Sequence, residues 1–364
     1  MKRIIVKIGS QVLCQTDGLL NTETLAELVS QVAELHKKGW QVLLVSSGAV
    51  AAGQGEINSD RLHRQDPVTR KQVLAALGQV RLMQTYHLQF KQHGLAVAQI
   101  LASKSDFQTR NHYLNMRRCI EGVLDAGIVP VVNENDVVSI TELMFTDNDE
   151  LAGLLAGIVK ADLMCILSSV DGVLNGALNI NGIDTEPRVI PSWDEKIHKI
   201  DSVVSSGTNK LGRGGMYSKI KVACKTAALG TEVVIANGSA KNVLLRVAEK
   251  ELIGTRFPAA KSSTSARRWL ASSDDHAVGS IIINEGAVQA LTDKSRLASL
   301  LLVGVEAFEG EFKRGDVVRV TDRDGAVLAL GRADYDSTVA RNLIGQRDHK
   351  PLIHYNYLYL SGST

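Results

Sequence analysis

Arg3-Ile4-Ile5-Val6-Lys7-Ile8-Gly9-Ser10 gives the first indication of the fold, because its β-branched run predicts a strand that ends at a glycine. A second strand-like run, Gln41-Val42-Leu43-Leu44-Val45, follows further along. Between the two runs, apolar residues recur at the spacing of one helical face: Leu25, Leu28, Val29, Val32 and Leu35. Asn21 supplies a cap before this helix, and Gly39 closes it. The segment therefore predicts a strand, a helix and a second, parallel strand.

The same alternation continues to about residue 240. Further strands are predicted at Ala96–Ile100, Ile128–Val132, Leu163–Leu167 and Glu232–Ile235. Further helices are predicted at about Arg70–Gln92, Asn111–Asp125, Asp149–Lys160 and Met216–Leu229. Gly94, Gly127 and Gly230 fall at helix C-termini, where a left-handed residue is favoured. We therefore predict an α/β fold with three αβα layers and a mainly parallel sheet.

A change of composition at Pro258–Asp275 predicts a boundary between two domains. This stretch lacks strand or helix periodicity, and 364 residues are more than one core usually holds. Short β-like segments follow it at Gly279–Asn284, Leu300–Val305, Val317–Thr321 and Val327–Arg332. We predict a catalytic domain at residues 1–257, a linker at 258–273 and a small, mostly β domain at 274–364.

The composition is that of an ordinary globular protein without a membrane span. Hydrophobic residues make up 45% of the chain, and no apolar run approaches the roughly 20 residues that a spanning helix needs. The run after Met1-Lys2-Arg3 is too short for a secretory leader, so we expect the chain to begin inside its fold. Its four scattered cysteines lack metal-binding spacing, and we expect buried thiols in the reducing cytoplasm.

The charge balance gives little support to a nucleic-acid partner. The net charge is only +2, and from Asp274 onward 13 acidic residues outnumber 10 basic ones. Phosphate contacts normally supply most of the non-specific affinity for RNA. RNA binding through the C-terminal domain is therefore kept only as an alternative, secondary activity.

Small and polar residues follow the predicted strands, at the sheet edge where α/β proteins bind ligands. The first strand ends in Lys7-Ile8-Gly9-Ser10, where the glycine would let a phosphate approach the backbone and the lysine would add charge. The second ends in Ser46-Ser47-Gly48-Ala49 before a helix, a natural anion site. Taken singly, a solvent-facing lysine and a serine helix cap explain these residues equally well.

Two acidic clusters follow, at Asn133-Glu134-Asn135-Asp136 and Asp147-Asn148-Asp149-Glu150. The first comes directly after a predicted strand and suits an ammonium group, although a surface turn has a similar composition. The second opens a helix, where the dipole favours acidic residues in any case. The functional alternative is that one of its carboxylates orients catalytic lysines and another lies near Mg²⁺.

A glycine-rich turn, Gly212-Arg213-Gly214-Gly215-Met216-Tyr217-Ser218-Lys219, leads into the predicted helix at Met216–Leu229. Its N–H groups, the helix N-terminus and the lysine would hold a phosphate, although such turns are structural about as often. The turn is neither a Walker A loop nor part of a protein-kinase motif set. Together with Lys7 it favours phosphoryl transfer, which needs positioning and positive charge rather than a covalent nucleophile.

In combination these blocks resemble the glutamate 5-kinase family of the amino-acid kinase superfamily. The blocks are Val6-Lys7-Ile8-Gly9-Ser10, Val45-Ser46-Ser47-Gly48-Ala49, Val132-Asn133-Glu134-Asn135-Asp136, Asp147-Asn148-Asp149 and Gly214-Gly215-Met216 with Lys219. The segment from about Asp274 resembles a PUA domain, a small pseudo-barrel first associated with RNA-modifying enzymes. The resemblance covers the whole chain and implies the amino-acid kinase fold followed by a PUA-like pseudo-barrel.

The resemblance implies an ATP:L-glutamate 5-phosphotransferase that uses Mg²⁺ and makes L-glutamyl 5-phosphate, the first step of proline synthesis. Lys7 and Lys219 would stabilise the transferring group, with Asp149 holding both ammoniums in place. The residues implied for glutamate are Ser47, Asn133, Asp136 and Asn148. Those implied for the nucleotide are Lys7, Gly9, Ser10, Ser168, Ser169, Arg213, Gly214, Gly215, Met216 and Lys219. No metal ligand is assigned.

Family membership further implies feedback inhibition by proline, a homodimer or homotetramer, and hand-off to glutamate-5-semialdehyde dehydrogenase. Two departures concern the nucleotide. The chain has Ser168-Ser169 where the family usually shows Thr-Asp, so one carboxylate is lost, and it has Arg213 where the family commonly carries Thr. Another amino-acid kinase, of the N-acetylglutamate or aspartate type, stays open as the alternative enzyme.

Overall fold

The computed structural model describes residues 1–15, 17–57, 62–107, 110–138, 147–175, 179–180, 183–184, 188–194, 197–198, 200, 215–260, 270, 277–293 and 298–360. The chain divides into two compact units, Met1–Ser105 with Asn115–Ser262 and Asp106–Leu114 with Ser263–Thr364. No helix in the described ranges is long and apolar enough to cross a membrane. The domain limits inferred from composition stay a prediction.

The first unit is built on a seven-stranded sheet. The strands before residue 260 are β1 (Lys2–Ile8), β2 (Trp40–Ser46), β3 (Val97–Ala102), β4 (Val129–Glu134), β5 (Leu163–Ser168), β6 (Asn179–Ile180), β7 (Ile183–Asp184), β8 (Glu232–Asn237) and β9 (Thr255–Phe257). The sheet order is β3-β4-β2-β1-β5-β8-β9, with β6 and β7 forming a separate ribbon. Neighbouring strands of the sheet are parallel except β8 and β9. The carboxyl ends of β1, β2, β4 and β5 therefore share one edge.

Helices connect these strands. They are α1 (Ser10–Leu13), α2 (Thr22–Lys37), α3 (Ala49–Gln54), α4 (Pro67–Gln92), α5 (Arg110–Asp125), α6 (Asn148–Val159), α7 (Met216–Ala228) and α8 (Val243–Ala248), with a 3₁₀ turn at Lys104–Phe107. The Asn21 side chain caps α2 by accepting a hydrogen bond from the Thr24 backbone N–H at 3.1 Å, as predicted. Gly39, Gly94, Gly127 and Gly230 all have positive φ, which agrees with the predicted helix ends.

Side-chain alternation along β1 decides which residues meet which helices. Ile4, Val6 and Ile8 join the apolar cluster that includes residues of α2 and α4. Lys7 points to the opposite face, where its ammonium contacts α6. Helices thus cover both faces of a mainly parallel sheet, and the predicted three-layer α/β fold is confirmed.

All six strands predicted for this sheet are present, with ends shifted by at most two residues. The short strand β9 and the short helix α8 were not predicted, because three to six residues carry too little periodicity. Helix α4 begins earlier than predicted. Its start is set by Pro67 and by Asp66, whose carboxylate accepts hydrogen bonds from the backbone of Val68 and Thr69.

The second unit carries a five-stranded sheet. Its strands are β10 (Ser280–Ile283), β11 (Val305–Glu309), β12 (Val317–Thr321), β13 (Val327–Arg332) and β14 (Leu358–Leu360), and its helices include α9 (Glu285–Thr292) and α10 (Ser337–Arg341). The sheet order is β11-β10-β12-β13-β14, mostly antiparallel. All five strands contribute side chains to one apolar cluster, which confirms a small, mostly β second part.

The strand predicted at Leu300–Val305 is wrong. Residues Leu302–Gly304 form a 3₁₀ turn, and the strand begins only at Val305. The carbonyls of Val303 and Gly304 accept hydrogen bonds from the side chain and backbone of Asn284. Gly304 also lies so close to Ala287 that an added Cβ would come within 2.7 Å of the alanine Cβ. These contacts from a distant segment override the local β pattern.

Helices α3 and α4 cross in backbone contact through two glycines. A Cβ built on Gly53 would lie 2.0 Å from the Leu74 carbonyl oxygen, and one on Gly78 would lie 1.7 Å from that of Ala49. Neither partner is the flexible end of a side chain, so no small adjustment makes room. The crossing holds α3 and α4 at a fixed separation beside the ends of β2 and β4.

We predict that Gly78→Ala destabilises the protein by about 3 kcal/mol, because the added methyl group overpacks a backbone contact. The matched control is Gly122→Ala in α5, where nothing lies within 4 Å of an added Cβ. There the better helix propensity of alanine should stabilise by about 0.5–1 kcal/mol. Urea unfolding of both variants measures the difference, and equal stabilities would contradict the close backbone contact between α3 and α4.

Candidate active site

Lys7, Asp149 and Lys219 form a buried ion triad. The Lys7 Nζ lies 2.7 Å from Asp149 Oδ1, and the Lys219 Nζ lies 2.9 Å from Asp149 Oδ2. Their side chains are exposed by only 6%, 0% and 12%, in the order Lys7, Asp149, Lys219. One carboxylate thus holds two ammoniums near each other in a largely dry place, and the group keeps one net positive charge.

Three elements bring the triad together. Lys7 is the penultimate residue of β1, Asp149 lies in the first turn of α6, and Lys219 lies in the first turn of α7. The carboxylate of Asp147 caps α6, accepting hydrogen bonds from the backbone of Asp149 at 3.0 Å and of Glu150 at 3.1 Å. Its other oxygen accepts a 2.7 Å hydrogen bond from Ser218 on α7. Asp147 therefore joins the starts of the two helices that carry the triad.

The pKa values of two neighbouring carboxyls at the start of α6, those of Asp149 and Asp147, shift in opposite directions. Burial raises the pKa of Asp149, but the ammoniums of Lys7 and Lys219 outweigh it and hold this pKa below its usual value. Burial and the nearby charge of Asp149 raise the pKa of Asp147, although the Ser218 hydrogen bond opposes the rise. Asp149 accordingly stays ionised and available to orient both lysines.

A cavity of about 290 Å³ opens beside the triad at the carboxyl edge of the sheet. It is lined by Ser10, Cys14, Ser47, Gly48, Ala49, Val50, Ala51, Lys71, Asn133, Glu134, Asp136, Asp147 and Asn148. The four residues predicted to bind glutamate all belong to this lining. Gly48 has φ of 97°, a conformation that favours glycine, and it turns the chain from β2 directly into α3.

Asn148 connects the elements that surround the cavity. Its Nδ2 lies within hydrogen-bond distance of Ser47 Oγ at 3.1 Å, Asn133 Oδ1 at 3.1 Å and the Ser46 carbonyl oxygen at 3.2 Å. Asn133 in turn donates from Nδ2 to Gln79 Oε1 on α4 at 3.2 Å. The first residue of α6 is thereby tied to the ends of β2 and β4.

The residues predicted to bind the nucleotide lie on several different elements, and two of them lie outside the described residues. Ser10 lines the cavity together with the predicted glutamate residues. Ser168 ends β5 beside β1, and the Ser169 hydroxyl donates to Gln11 at 2.8 Å. Gly215 and Met216 begin α7, which has no side-chain cap and no acidic residue in its first turn. Arg213 and Gly214 lie outside the described residues.

Gly9 leaves space beside the Lys7 ammonium. A Cβ built there would lie 3.1 Å from the Leu167 carbonyl oxygen and 3.6 Å from Lys7 Nζ. Any side chain at this position would crowd the approach to the ammonium. The strand end therefore presents bare backbone next to a buried positive charge.

Three lining or linking residues were assigned no function from the sequence. Glu134 and Asp147 belong to the acidic clusters, but nothing in their spacing separates them from their neighbours. Lys71 lies in α4, where a lysine is an ordinary helix surface residue, and its Nζ contacts Asp136 Oδ1 at 2.8 Å. Only the fold brings α4 to the end of β4.

The family follows from comparison with known proteins. Residues 2–237 match the model of the Amino acid kinase family. The chain belongs to the amino acid kinase family. Residues 279–354 match the PUA domain.

Individual amino acid kinases resemble the chain over nearly its whole length. Glutamate 5-kinase of Chlorobaculum tepidum is 45% identical over 360 residues, covering 99% of this chain and 97% of that protein. Glutamate 5-kinase of Bacteroides thetaiotaomicron is 41% identical over 361 residues, covering 98% of each. Among solved structures, carbamate kinase from Giardia lamblia bound to AMP-PNP has 16% identity and a TM-score of 0.49, covering 71% of this chain and 99% of that one.

We predict that Asp149→Asn destabilises the protein by about 3–5 kcal/mol at neutral pH, because it leaves two buried ammoniums without a carboxylate. The native pKa of Asp149 is lowered, so its stabilising contribution is complete above its unfolded pKa of about 3.9 and is lost as pH falls through the native pKa. The stability difference between wild type and variant should therefore be constant from about pH 5 to 7 and shrink below about pH 4. Chemical denaturation across this range measures it, and a difference that grows on acidification contradicts the triad.

Proposed function

We propose that this protein transfers the γ-phosphoryl group of ATP to the side-chain carboxylate of L-glutamate, giving L-glutamyl 5-phosphate and ADP. The observation that carries the proposal is the Lys7–Asp149–Lys219 triad beside a polar cavity, at the carboxyl edge of an amino acid kinase sheet. The name shared by full-length relatives supports glutamate as the acceptor. Phosphoryl transfer of this kind requires positioning and positive charge, and it does not require a nucleophilic side chain.

The two lysines would stabilise charge on the group being transferred. An oxygen of the glutamate side-chain carboxylate attacks the γ-phosphorus while the bond from that phosphorus to the β,γ-bridging oxygen breaks, and ADP leaves with the bond electrons. The attacking carboxylate is already ionised, so no general base is required. Lys7 and Lys219 offer positive charge that Asp149 holds in place before the reaction starts. Charge that is already in position lowers the activation barrier, because the protein need not reorganise during the reaction.

The acceptor would lie in the cavity, with Asp136 facing its α-ammonium and Ser47, Asn133 and Asn148 providing hydrogen bonds. The Asn148 amide is held by Ser47 and Asn133. It therefore offers a rigid polar wall rather than a mobile side chain. Position matters here because well-oriented reactants can gain several orders of magnitude in rate.

Two features of the described residues support a nucleotide site next to the triad. Gly215 at the N-terminus of α7 has no side chain to cap the helix, and Gly9 leaves bare backbone beside Lys7, so both can face phosphate oxygens. We propose that Gly9, Ser168, Ser169, Gly215 and Met216 border the nucleotide. Arg213 and Gly214 stay part of this proposal as sequence neighbours of the turn.

Magnesium would arrive with the nucleotide. Both oxygens of Asp149 face ammoniums, and within the described ranges no three His, Cys, Asp or Glu side chains come together as a metal-ligand group. We therefore propose that Mg²⁺ is coordinated mainly by ATP phosphates, whose negative charge it neutralises.

The same proposal gives the protein a place in proline synthesis. Inhibition by proline, assembly into a homodimer or homotetramer and hand-off to glutamate-5-semialdehyde dehydrogenase belong to it as expectations from the resemblance. We also propose a cytoplasmic location, since all four cysteines are free thiols, as expected in a reducing compartment. The expectation that all four are buried is wrong, because Cys119 is exposed and Cys14 is only partly buried.

We predict that the purified protein forms an acyl phosphate, trapped as a hydroxamate, only when L-glutamate, ATP and Mg²⁺ are all present. N-acetyl-L-glutamate and L-aspartate serve as the alternative acceptors in parallel assays. An acylated amino group has no charge for Asp136 to bind, so N-acetyl-L-glutamate should be inactive. Activity with either alternative and none with L-glutamate would overturn the proposal.

Lys219→Ala should lower kcat by about 10²–10⁴-fold, because it removes one of two charges on the transferring group. The matched control is Lys221→Ala on the same helix, since Lys221 is exposed. Its kcat should stay within about twofold of wild type. Initial rates of ADP release measure both, with circular dichroism confirming that the variants fold. Equal kcat values for Lys219→Ala and the control would remove the phosphate assignment of Lys219.

A further inference from the structure

Lys71 and Asp136 form an ion pair inside the cavity lining. The Lys71 Nζ lies 2.8 Å from Asp136 Oδ1, and the side chains are exposed by 46% and 14%, respectively. Both residues line the cavity. Asp136 is the carboxylate proposed above for the substrate ammonium, so in this structure a cation of the protein itself occupies that position.

The charges around the cavity are unevenly distributed. Among the described lining residues, the carboxylates are Glu134, Asp136 and Asp147, whereas Lys71 is the one cationic side chain. L-Glutamate carries two carboxylates and one ammonium. Its side-chain carboxylate must approach the triad to react, which leaves the α-carboxylate in a cavity whose lining is predominantly acidic. An unpaired carboxylate there would be repelled unless Lys71 meets it.

We propose that Lys71 is a specificity residue that binds the α-carboxylate of the acceptor, and that it pairs with Asp136 until the acceptor arrives. An α-amino acid presents an ammonium and a carboxylate on one carbon atom. The Lys71–Asp136 pair presents the complementary charges side by side. On binding, the ammonium of the substrate replaces Lys71 at Asp136, and Lys71 moves to the adjacent carboxylate, so no charge is left without a partner.

The exposure of Lys71 makes this exchange feasible. A lysine ammonium on a flexible, half-exposed stem can move by a few ångströms at small cost, and the largely buried Asp136 keeps a cationic partner because the substrate ammonium takes its place. The backbone around it is held more firmly. Gln72, next to Lys71, donates a 2.9 Å hydrogen bond to the Val137 carbonyl oxygen, next to Asp136. The two residues thus stay neighbours while the lysine side chain changes partner.

This inference rests on the proposed function, and its test separates the two. L-Isoglutamine, the α-amide of L-glutamate, keeps the ammonium and the reacting carboxylate but has a neutral group where Lys71 would bind. Steady-state rates with L-glutamate and with L-isoglutamine are measured for wild type, Lys71→Met, Lys71→Arg and Lys38→Met. Lys38 forms a comparable 2.7 Å ion pair with Glu249, and neither residue lines the cavity, so it is the matched control.

Lys71→Met should raise the KM for L-glutamate by about 10- to 100-fold with kcat changed by less than about threefold, because a charged hydrogen bond to the acceptor is lost. Its preference for L-glutamate over L-isoglutamine should fall by the same factor. Lys71→Arg should restore most of the preference, and Lys38→Met should match wild type.

Two results would overturn the inference. One is a wild-type KM for L-glutamate in Lys71→Met. The other is a raised KM with the preference over L-isoglutamine unchanged, which is the result expected if Lys71 only positions Asp136. Failure of wild-type protein to form any acyl phosphate from L-glutamate would instead overturn the proposed function.

Discussion

The central interaction of this structure is a buried carboxylate shared by two ammoniums. Asp149 is fully buried, and each of its oxygens meets one lysine. Burying three charges is costly unless their geometry is nearly ideal. The end of β1 and the starts of α6 and α7 must therefore meet at one place, and the parallel order of the sheet brings β1 and β5 together there. The fold can be understood as the framework that satisfies this requirement.

The triad also carries an excess of one positive charge before any substrate is present. Both lysines are held by the same carboxylate, so their mutual repulsion is only partly cancelled. An anion placed between them would neutralise the remaining charge. A second protein carboxylate at that place would neutralise it permanently. The site is thus incomplete in an electrostatic sense, and the phosphoryl group of the proposed reaction would supply the missing negative charge.

Much of the first unit could be predicted from sequence because long, regular patterns dominate it. Leu25, Leu28 and Leu35 mark α2 by periodicity, and the strand ends at Gly9 and Gly48 mark the functional edge. Lys71 and Gln79 could not be found this way, since their contacts depend on where α4 crosses α3. The turn at Leu302–Gly304 shows the same limit. Its carbonyl oxygens accept hydrogen bonds from Asn284, which follows the end of another strand, β10. Local pattern predicts elements, whereas packing between distant elements decides the remaining contacts.

Three consecutive residues at the start of α6 contact three different sets of partners. Asp147 reaches Ser218, Asn148 reaches Ser47 and Asn133, and Asp149 reaches the two lysines. Asp147 is the extended cap before the helix, and the successive helical residues Asn148 and Asp149 differ by about 100° in direction and about 1.5 Å in height. The spacing between the cavity that Asn148 lines and the two lysines that Asp149 holds is therefore set by the geometry of a single helical turn. Inserting or deleting one residue there would rotate each side chain into its neighbour's position. The distance between the two sites can therefore change only in steps of one residue, and each such step would disrupt the contacts of both sites.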